Sequence, residues 1–308
     1  MAIKREYDVV IIGGGPAGLT ASIYTARARL KSLLIERGAT GGWILNAGVV
    51  ENYPGFPDGI NGLELAEAMH QQAVKFGLET LTAEVTGLEL KDEQRVVKTS
   101  EGDVAAGAVI VAGGSDRVKL GVPGEEEFTG RGVAYCAICD GYFYRDVPVA
   151  VVGGGNAAIN EALELTKFAS RVTIIHRREE LRATKILQER AFAEPKIEFA
   201  WNTVVEAVEG EDTVKKLRLK NVRSGEKSTL EISGVFVAVG FRPNTGYLKS
   251  VLTLADDGTV ITNEKMETAV PGIFAAGDIR SSSIRQVAAA VGDGSVAAIY
   301  AERYIAGK

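Results

Sequence analysis

The chain has 308 residues, 46% of them hydrophobic and 24% charged, which is ample material for one or two buried cores and excludes a disordered protein. Its 35 basic and 40 acidic residues give a net charge of -5, so there is no overall electrostatic footprint for nucleic acid or an anionic membrane. The N-terminus runs into Val9–Ile12 with no secretory apolar region, and no stretch is long enough to span a bilayer; a cytoplasmic protein without a membrane partner is expected.

Tyr7 to Ile12 reads as a short buried strand, followed by Gly13-Gly14-Gly15-Pro16-Ala17-Gly18, a helix over Leu19 to Arg29, and a second strand, Ser32 to Ile35, ending on Glu36. This is a complete βαβ dinucleotide fingerprint: the glycines let the backbone approach a pyrophosphate at a helix N-terminus, and the acid takes a ribose diol. A late strand, Gly107 to Gly113, ends on a glycine turn.

The plan then repeats. Val149 to Val152 leads into Gly153-Gly154-Gly155-Asn156-Ala157-Ala158, a helix over Ile159 to Phe168, a strand Val172 to Ile175, and a late strand Gly234 to Gly240. Counting 23 residues from the first glycine reaches Glu36 in one copy and His176 in the other. Glu36 repels a 2′-phosphate, whereas His176 is followed by Arg177, Arg178 and Arg182, a cluster suited to bidentate phosphate contacts. The two sites are expected to hold different nucleotides. His176 has a second reading, as a core or edge histidine.

Turn-rich punctuation at Gly121-Val122-Pro123-Gly124 and Gly240-Phe241-Arg242-Pro243-Asn244 marks crossovers. The expected architecture is α/β, with two Rossmann-like dinucleotide-binding domains: residues 118–243 form a domain inserted into one built from 1–117 and 244–308. The resumed part carries the strand Ile273 to Ala276, the turn Gly277-Asp278, then Arg285-Gln286 and an alanine-rich helix, Ala288 to Ala298, interrupted at Gly292-Asp293-Gly294. Glu125-Glu126-Glu127 and Lys215-Lys216-Leu217-Arg218 read as exposed faces, Trp201 and His70 as structural, and Ser281-Ser282-Ser283 as loop.

The only two cysteines, Cys136 and Cys139, stand at Cys-x-x-Cys spacing inside the inserted domain. Such a pair closes into a small exchangeable disulfide whose thiolate does the exchange. The alternatives are a half zinc site or two buried structural thiols. Zinc needs two further good ligands, and the chain offers no other cysteine and only His70 and His176, so no metal is expected.

These features together, above all Cys136-Ala137-Ile138-Cys139-Asp140, His176-Arg177-Arg178, and Gly277-Asp278 followed by Arg285-Gln286, make the chain closely resemble the low-molecular-weight thioredoxin reductase family from Gly13 to Gly294. The resemblance implies FAD in the first domain and NADPH in the inserted one, where Gly153, Gly155, Asn156 and Ala157 form the glycine loop. Gly13, Gly15, Pro16, Ala17 and Glu36 would hold the adenosine half of FAD, with Val85 near the adenine. Gly41, Gly42 and Asn52 would line the flavin and ribityl region, Gly277 and Asp278 the ribityl and pyrophosphate portion, and Arg285 and Gln286 the flavin ring. Cys139 would face the flavin, Cys136 would attack the partner's disulfide, and Asp140 would move the proton. Sequence does not fix which cysteine is which, and Asp140 also reads as a helix-cap or turn residue.

Two positions depart from the family's pattern. Trp43 stands where glutamine usually follows the paired glycines, and the usual Ala-Thr-Gly turn is Ala112-Gly113-Gly114. Both are expected to alter flavin contacts without abolishing binding. The function implied is NADPH-dependent reduction of a thioredoxin-like protein by a homodimer, with the inserted domain rotating about the crossovers so that dinucleotide and disulfide take turns at one flavin. The alternatives are a flavin-dependent dithiol oxidase, which has no need of a 2′-phosphate site, and a redox-sensing flavoprotein. The peroxidase-system reductases share this core with an additional N-terminal dithiol domain, and that version is not expected from a sequence whose first strand starts at Tyr7; ferredoxin reductases of similar plan lack the cysteine pair.

Overall fold

A computed structural model describes residues 5–47, 49–91 and 94–307. The chain forms two compact units, Met1–Asp116 with Arg242–Lys308, and Arg117–Phe241. The first is built on a seven-stranded sheet in which Glu79–Thr82, Ser32–Glu36, Arg5–Ile12 and Val104–Val111 run parallel in that spatial order. The long strand Val104–Val111 shares its outer edge: its first half pairs antiparallel with Gln94–Thr99, and its second half pairs parallel with Ile273–Ala275.

Both faces of this sheet are covered. Along the first strand, Val9 and Ile11 pack with Ala17, Leu19 and Ala297, while Val10 and Ile12 pack with Leu33, Leu248 and Ile279. The period-2 alternation therefore separates two apolar layers rather than core from solvent, which is why the strand reads as a continuous apolar run.

Helix Pro16–Arg27 begins with proline at its first turn, where a missing N–H costs nothing. Its small-residue face admits the C-terminal helix Val287–Ala306, which runs through Gly292-Asp293-Gly294 without the expected interruption. Gly294 explains this: a Cβ there would lie 2.2 Å from the Ala17 carbonyl oxygen, so glycine marks a close helix crossing and not a break.

The second unit carries a five-stranded, all-parallel sheet in the order Val133–Ala134, Gly234–Val237, Pro148–Val152, Arg171–His176, Ile197–Trp201. One face packs Val149 and Val151 against Ile159 and Leu165 of helix Asn156–Leu165. The other packs Ala150 and Val152 against Val205, Leu217 and Leu219 of an antiparallel sheet formed by Thr203–Gly210, Val214–Asn221 and Lys227–Glu231. The basic run at 215–218 is thus a strand with Leu217 buried between charged neighbours.

The acidic triplet also needs correcting. Glu125 is 2% exposed, not on an open face, because its carboxylate accepts the N–H groups of Leu120 and Gly121 and the Tyr135 hydroxyl at 2.7–3.0 Å. The strands Ser115–Arg117 and Phe241–Pro243, at which the chain passes between units, pair with each other.

Candidate functional site

In the first unit the glycine loop is shaped by one tight contact and one opening. Gly13 has φ +104, and a Cβ on it would meet the Ala112 carbonyl oxygen at 2.4 Å; around Gly15 nothing lies within 4 Å of such an atom. The N-terminus of helix Pro16–Arg27 is therefore reachable, with its unpaired N–H groups and the positive end of its dipole. Glu36 ends its strand and accepts from Gly14 N at 2.7 Å and from Gly38 N at 3.1 Å. Beyond it lies a cavity of about 320 Å³ lined by Glu36, Thr40, Leu45, Glu67, His70 and Thr82. This gives His70 a place beside the Glu36 pocket.

Other segments converge on this loop. Gly42, at φ +60, sits where a Cβ would be 3.2 Å from the Gly15 Cα, and Gly41 packs against Ala66 and Leu45. Trp43 donates its indole N–H to the Ser115 carbonyl oxygen at 2.9 Å, which gives this departure from the family pattern a definite role in joining its loop to the crossover strand. At Gly113 a hypothetical Cβ would make ordinary van der Waals contact, 3.6 Å from both Ile279 and the Tyr247 hydroxyl. Asn52 donates to the Gln286 side chain at 3.1 Å. Val85 opens the strand Val85–Lys91, two residues past Ala83, whose N–H donates to the Glu36 carbonyl oxygen at 3.0 Å.

Gly277, at φ +77, brings its turn against Ala17, where a Cβ would lie 2.9 Å from the alanine methyl. Ser283 donates to Asp278 at 2.9 Å and accepts from Arg285 N at 3.1 Å, so the serine loop is tied to the turn. Arg285 itself adopts φ +58, uncommon for a residue with a side chain. Beneath the turn, Asp293 accepts from Gly277 N at 3.0 Å and takes Arg280 in a bidentate pair at 2.5 and 2.9 Å. Asp293 and Arg280 thus buttress the Gly277 turn, a pair that no spacing in the sequence announces, although the Gly292-Asp293-Gly294 triplet marks the place.

The second unit repeats the loop. Gly153, at φ +151, would place a Cβ 2.5 Å from the Ala238 carbonyl oxygen, and Gly155 faces open space. Asn156 accepts from Thr184 N at 2.8 Å, while Ala157 is exposed on the first turn. Arg177, Arg178 and Arg182 are all exposed and have no ion-pair partner among the described residues. His176 is different: it is 4% exposed and turned into the fold.

Cys136 and Cys139 are joined in a disulfide with Cα atoms 5.3 Å apart. Cys136 is the N-cap of the short helix Ala137–Asp140, its sulfur accepting from Cys139 N at 3.2 Å. Cys139 and Ile138 are exposed, as are Tyr142 and Phe143 just beyond. Asp140 is half-buried, and burial pushes its carboxyl up to about 6, against a smaller downward pull from Arg117. Tyr144 is pushed up to about 12, by burial first and then by Asp140. Glu161, from helix Asn156–Leu165, accepts the Ala137 N–H; burial raises its carboxyl pKa and that bond opposes the rise. No sequence pattern announces Glu161, since 24 residues separate it from Ala137.

Two α/β units with glycine loops at helix N-termini, one of them presenting a two-residue-spaced disulfide, define an oxidoreductase that couples flavin and nicotinamide chemistry to a cysteine pair. The family model described as pyridine nucleotide-disulphide oxidoreductase matches residues 7–294, and the chain belongs to that family. It is 46% identical over 306 residues to a thioredoxin reductase of Bacillus subtilis (strain 168), covering 99% of this chain and 96% of the relative. Among solved structures, the thioredoxin reductase from Streptococcus pyogenes MGAS5005 superposes with a TM-score of 0.95 at 45% identity, covering 98% of this chain and 99% of that one. The thioredoxin reductase from Giardia duodenalis gives 0.93 at 34% identity, covering 98% and 100%. Among the described residues, no helix is long and apolar enough to cross a membrane, and no group of His, Cys, Asp or Glu could hold a metal ion.

Proposed function

We propose that the chain is a thioredoxin reductase, passing electrons from NADPH through FAD to the Cys136–Cys139 disulfide and on to a thioredoxin-like protein. The carrying observation is the disulfide itself, placed in the same unit as the arginine-flanked glycine loop and beside exposed Ile138, Tyr142 and Phe143, which offer an apolar contact for a protein partner. FAD, when bound, supplies the exchange between hydride transfer and dithiol chemistry. It would be held by Gly13, Gly15, Pro16, Ala17 and Glu36 at the adenosine side, Val85 at the adenine, and Gly41, Gly42, Asn52, Gly277, Asp278, Arg285 and Gln286 toward the ring. The open approach at Gly15 and the close packing of Gly42 and Gly277 on the same loop fit such a group. Gly153, Gly155, Asn156 and Ala157 would bind the NADPH pyrophosphate, and the exposed arginines its 2′-phosphate.

Reduction of the disulfide consumes two electrons and two protons. In the exchange, the Cys136 thiolate attacks one sulfur of the partner's disulfide, giving a mixed disulfide and a partner thiolate that is protonated as it leaves. Cys139 then attacks Cys136, which re-forms the internal disulfide and releases the partner as a dithiol. Asp140, titrating near pH 6, holds a carboxylate that accepts a thiol proton at neutral pH and returns it to a leaving thiolate. The inserted unit turns about the crossovers so that dinucleotide and disulfide reach the flavin alternately. A homodimer in the cytoplasm completes the reading.

Anaerobic titration with NADPH in the presence of thioredoxin tests this. The expected result is flavin reduction by NADPH and stoichiometric thioredoxin reduction, with Cys136→Ser and Cys139→Ser each keeping the first step and losing the second. Thioredoxin reduction that survives either substitution refutes it. A cross-link fixing one unit to the other is expected to stop turnover, and full activity in the locked protein refutes the rotation.

A further inference from the structure

The two cofactor loops differ in one respect that the arginine cluster hides. Beneath the second loop, where the first has solvent-accessible Glu36, the His176 imidazole lies directly under Gly154: a Cβ on that glycine would sit 2.3 Å from Cε1, 2.4 Å from Nδ1 and 2.6 Å from Nε2. Gly154 does not have a positive φ, so its need to be glycine comes from the ring and not from the backbone. Nε2 lies 3.1 Å from the Glu180 carbonyl oxygen, which can only accept, so the proton is on Nε2 and is committed there. The Trp201 ring packs edge-on at 6.5 Å between centroids, and Trp201 in turn stacks on Phe199. From the other side, the Gly154 carbonyl oxygen accepts from Arg182 N at 2.7 Å and from Ala183 N at 3.2 Å.

The result is a closed clasp in which glycine loop, imidazole and arginine loop hold one another. Neither ring nitrogen presents a donor to a bound anion: Nε2–H is spent on Glu180, and Nδ1 faces the loop. Burial lowers the imidazole pKa, the bond to the Glu180 carbonyl oxygen opposes that shift, and the three flanking arginines add to it.

We propose that His176 is a positioning residue that sets the shape of the Gly153–Gly155 loop for any nicotinamide dinucleotide, and that the 2′-phosphate is read by Arg177, Arg178 and Arg182 without it. This rests on the reading of the second unit as the nicotinamide site. It divides one sequence motif into two independent functions, loop support by the histidine and phosphate discrimination by the arginines.

Calorimetric titration of the flavin-loaded enzyme with NADP+ and with NAD+ separates the roles without relying on turnover. His176→Ala is expected to weaken both ligands by the same factor, about tenfold, leaving their ratio unchanged. Arg177→Ala with Arg178→Ala is expected to weaken NADP+ about a hundredfold and NAD+ less than about twofold. His176→Gln keeps an N–H near the Nε2 position but carries no charge, and is expected to restore both affinities toward those of the parent. Should His176→Ala fail to fold, His176→Gln carries the test: an unchanged ligand ratio supports the proposal, and selective loss of NADP+ overturns it. Gly154→Ala is expected to weaken both ligands in the parent and to do so less when His176→Ala is also present; strictly additive effects overturn the clasp. A parent that binds neither nucleotide overturns the nicotinamide reading and the proposal with it, whereas a binding parent with NADP+-selective loss on changing His176 overturns the proposal alone.

Discussion

Asp140 stores a cost that can be recovered by one substitution. Its carboxyl is raised from 3.8 to about 6 chiefly by burial. At about 1.4 kcal/mol per tenfold change in acidity, the folded protein loses on the order of 3 kcal/mol by keeping this group ionised above pH 7. The direction follows from proton counting. Below pH 3.8 the carboxyl is protonated in both folded and unfolded chains and costs nothing. As pH rises toward 6, the unfolded chain gives up its proton while the folded one keeps it, and stability falls; above 6 the penalty is constant. Asp140→Asn keeps the shape and removes the ionisation. The oxidised variant is therefore expected to be more stable than the parent by about 3 kcal/mol at pH 8 and by only about 1 kcal/mol near pH 4.5, read from urea midpoints at each pH. Its dithiol exchange with thioredoxin is expected to slow at the same time, a stability gain bought with function. A stabilisation that is equal at the two pH values, or absent at pH 8, refutes the assignment of a desolvated carboxylate.

Two glycines in the C-terminal helix are expected to respond in opposite directions. Gly292→Ala faces open space and should stabilise by about 1 kcal/mol, while Gly294→Ala meets the Ala17 backbone at 2.2 Å and should lower the melting temperature and flavin content together. Equal effects would contradict the close helix crossing. Asp293→Asn breaks the charge pair with Arg280 beneath the Gly277 turn; a loss of about 3 kcal/mol and incomplete flavin occupancy, seen as a lower flavin-to-protein absorbance ratio, are expected. Unchanged occupancy and melting would remove Asp293 from the positioning role. Glu161→Ala deletes the acceptor of the Ala137 N–H, and exchange of that amide is expected to quicken about tenfold by mass spectrometry, whereas Glu161→Gln retains an acceptor oxygen and should leave it slow.

The strand–glycine–helix segments were legible because they are local. Val9 to Ile12 and Val149 to Val152 are apolar on both faces, and each ends on a glycine in a conformation that residues with side chains rarely adopt, Gly13 at φ +104 and Gly153 at φ +151. What stayed hidden depends on partners far along the chain. Glu125 reads as one of three surface acids until Leu120, Gly121 and Tyr135 are seen to enclose it. Asp293 looks like part of a helix break until Arg280 and Gly277 reach it. His176 sat at the right count from Gly153 to be a ligand, yet the burial of its ring is decided by Gly154, Trp201 and Glu180, none of which a spacing rule weighs. The antiparallel sheet over 203–231 also escaped notice, because its alternation of charged and apolar residues, as in Lys216-Leu217-Arg218-Leu219, resembles ordinary surface when read only for charge.

The pairing of Ser115–Arg117 with Phe241–Pro243 means that the chain leaves the first unit and comes back to it at neighbouring points, with Asn244 N donating to the Gly114 carbonyl oxygen at 3.1 Å. In topological terms, the 125 residues from Arg117 to Phe241 form a closed excursion whose removal would leave two ends already hydrogen-bonded side by side. A short turn in place of the excursion would add little closure entropy. Such a seam lets an inserted module be exchanged, tuned or lost over evolutionary time without asking the host sheet to be rebuilt.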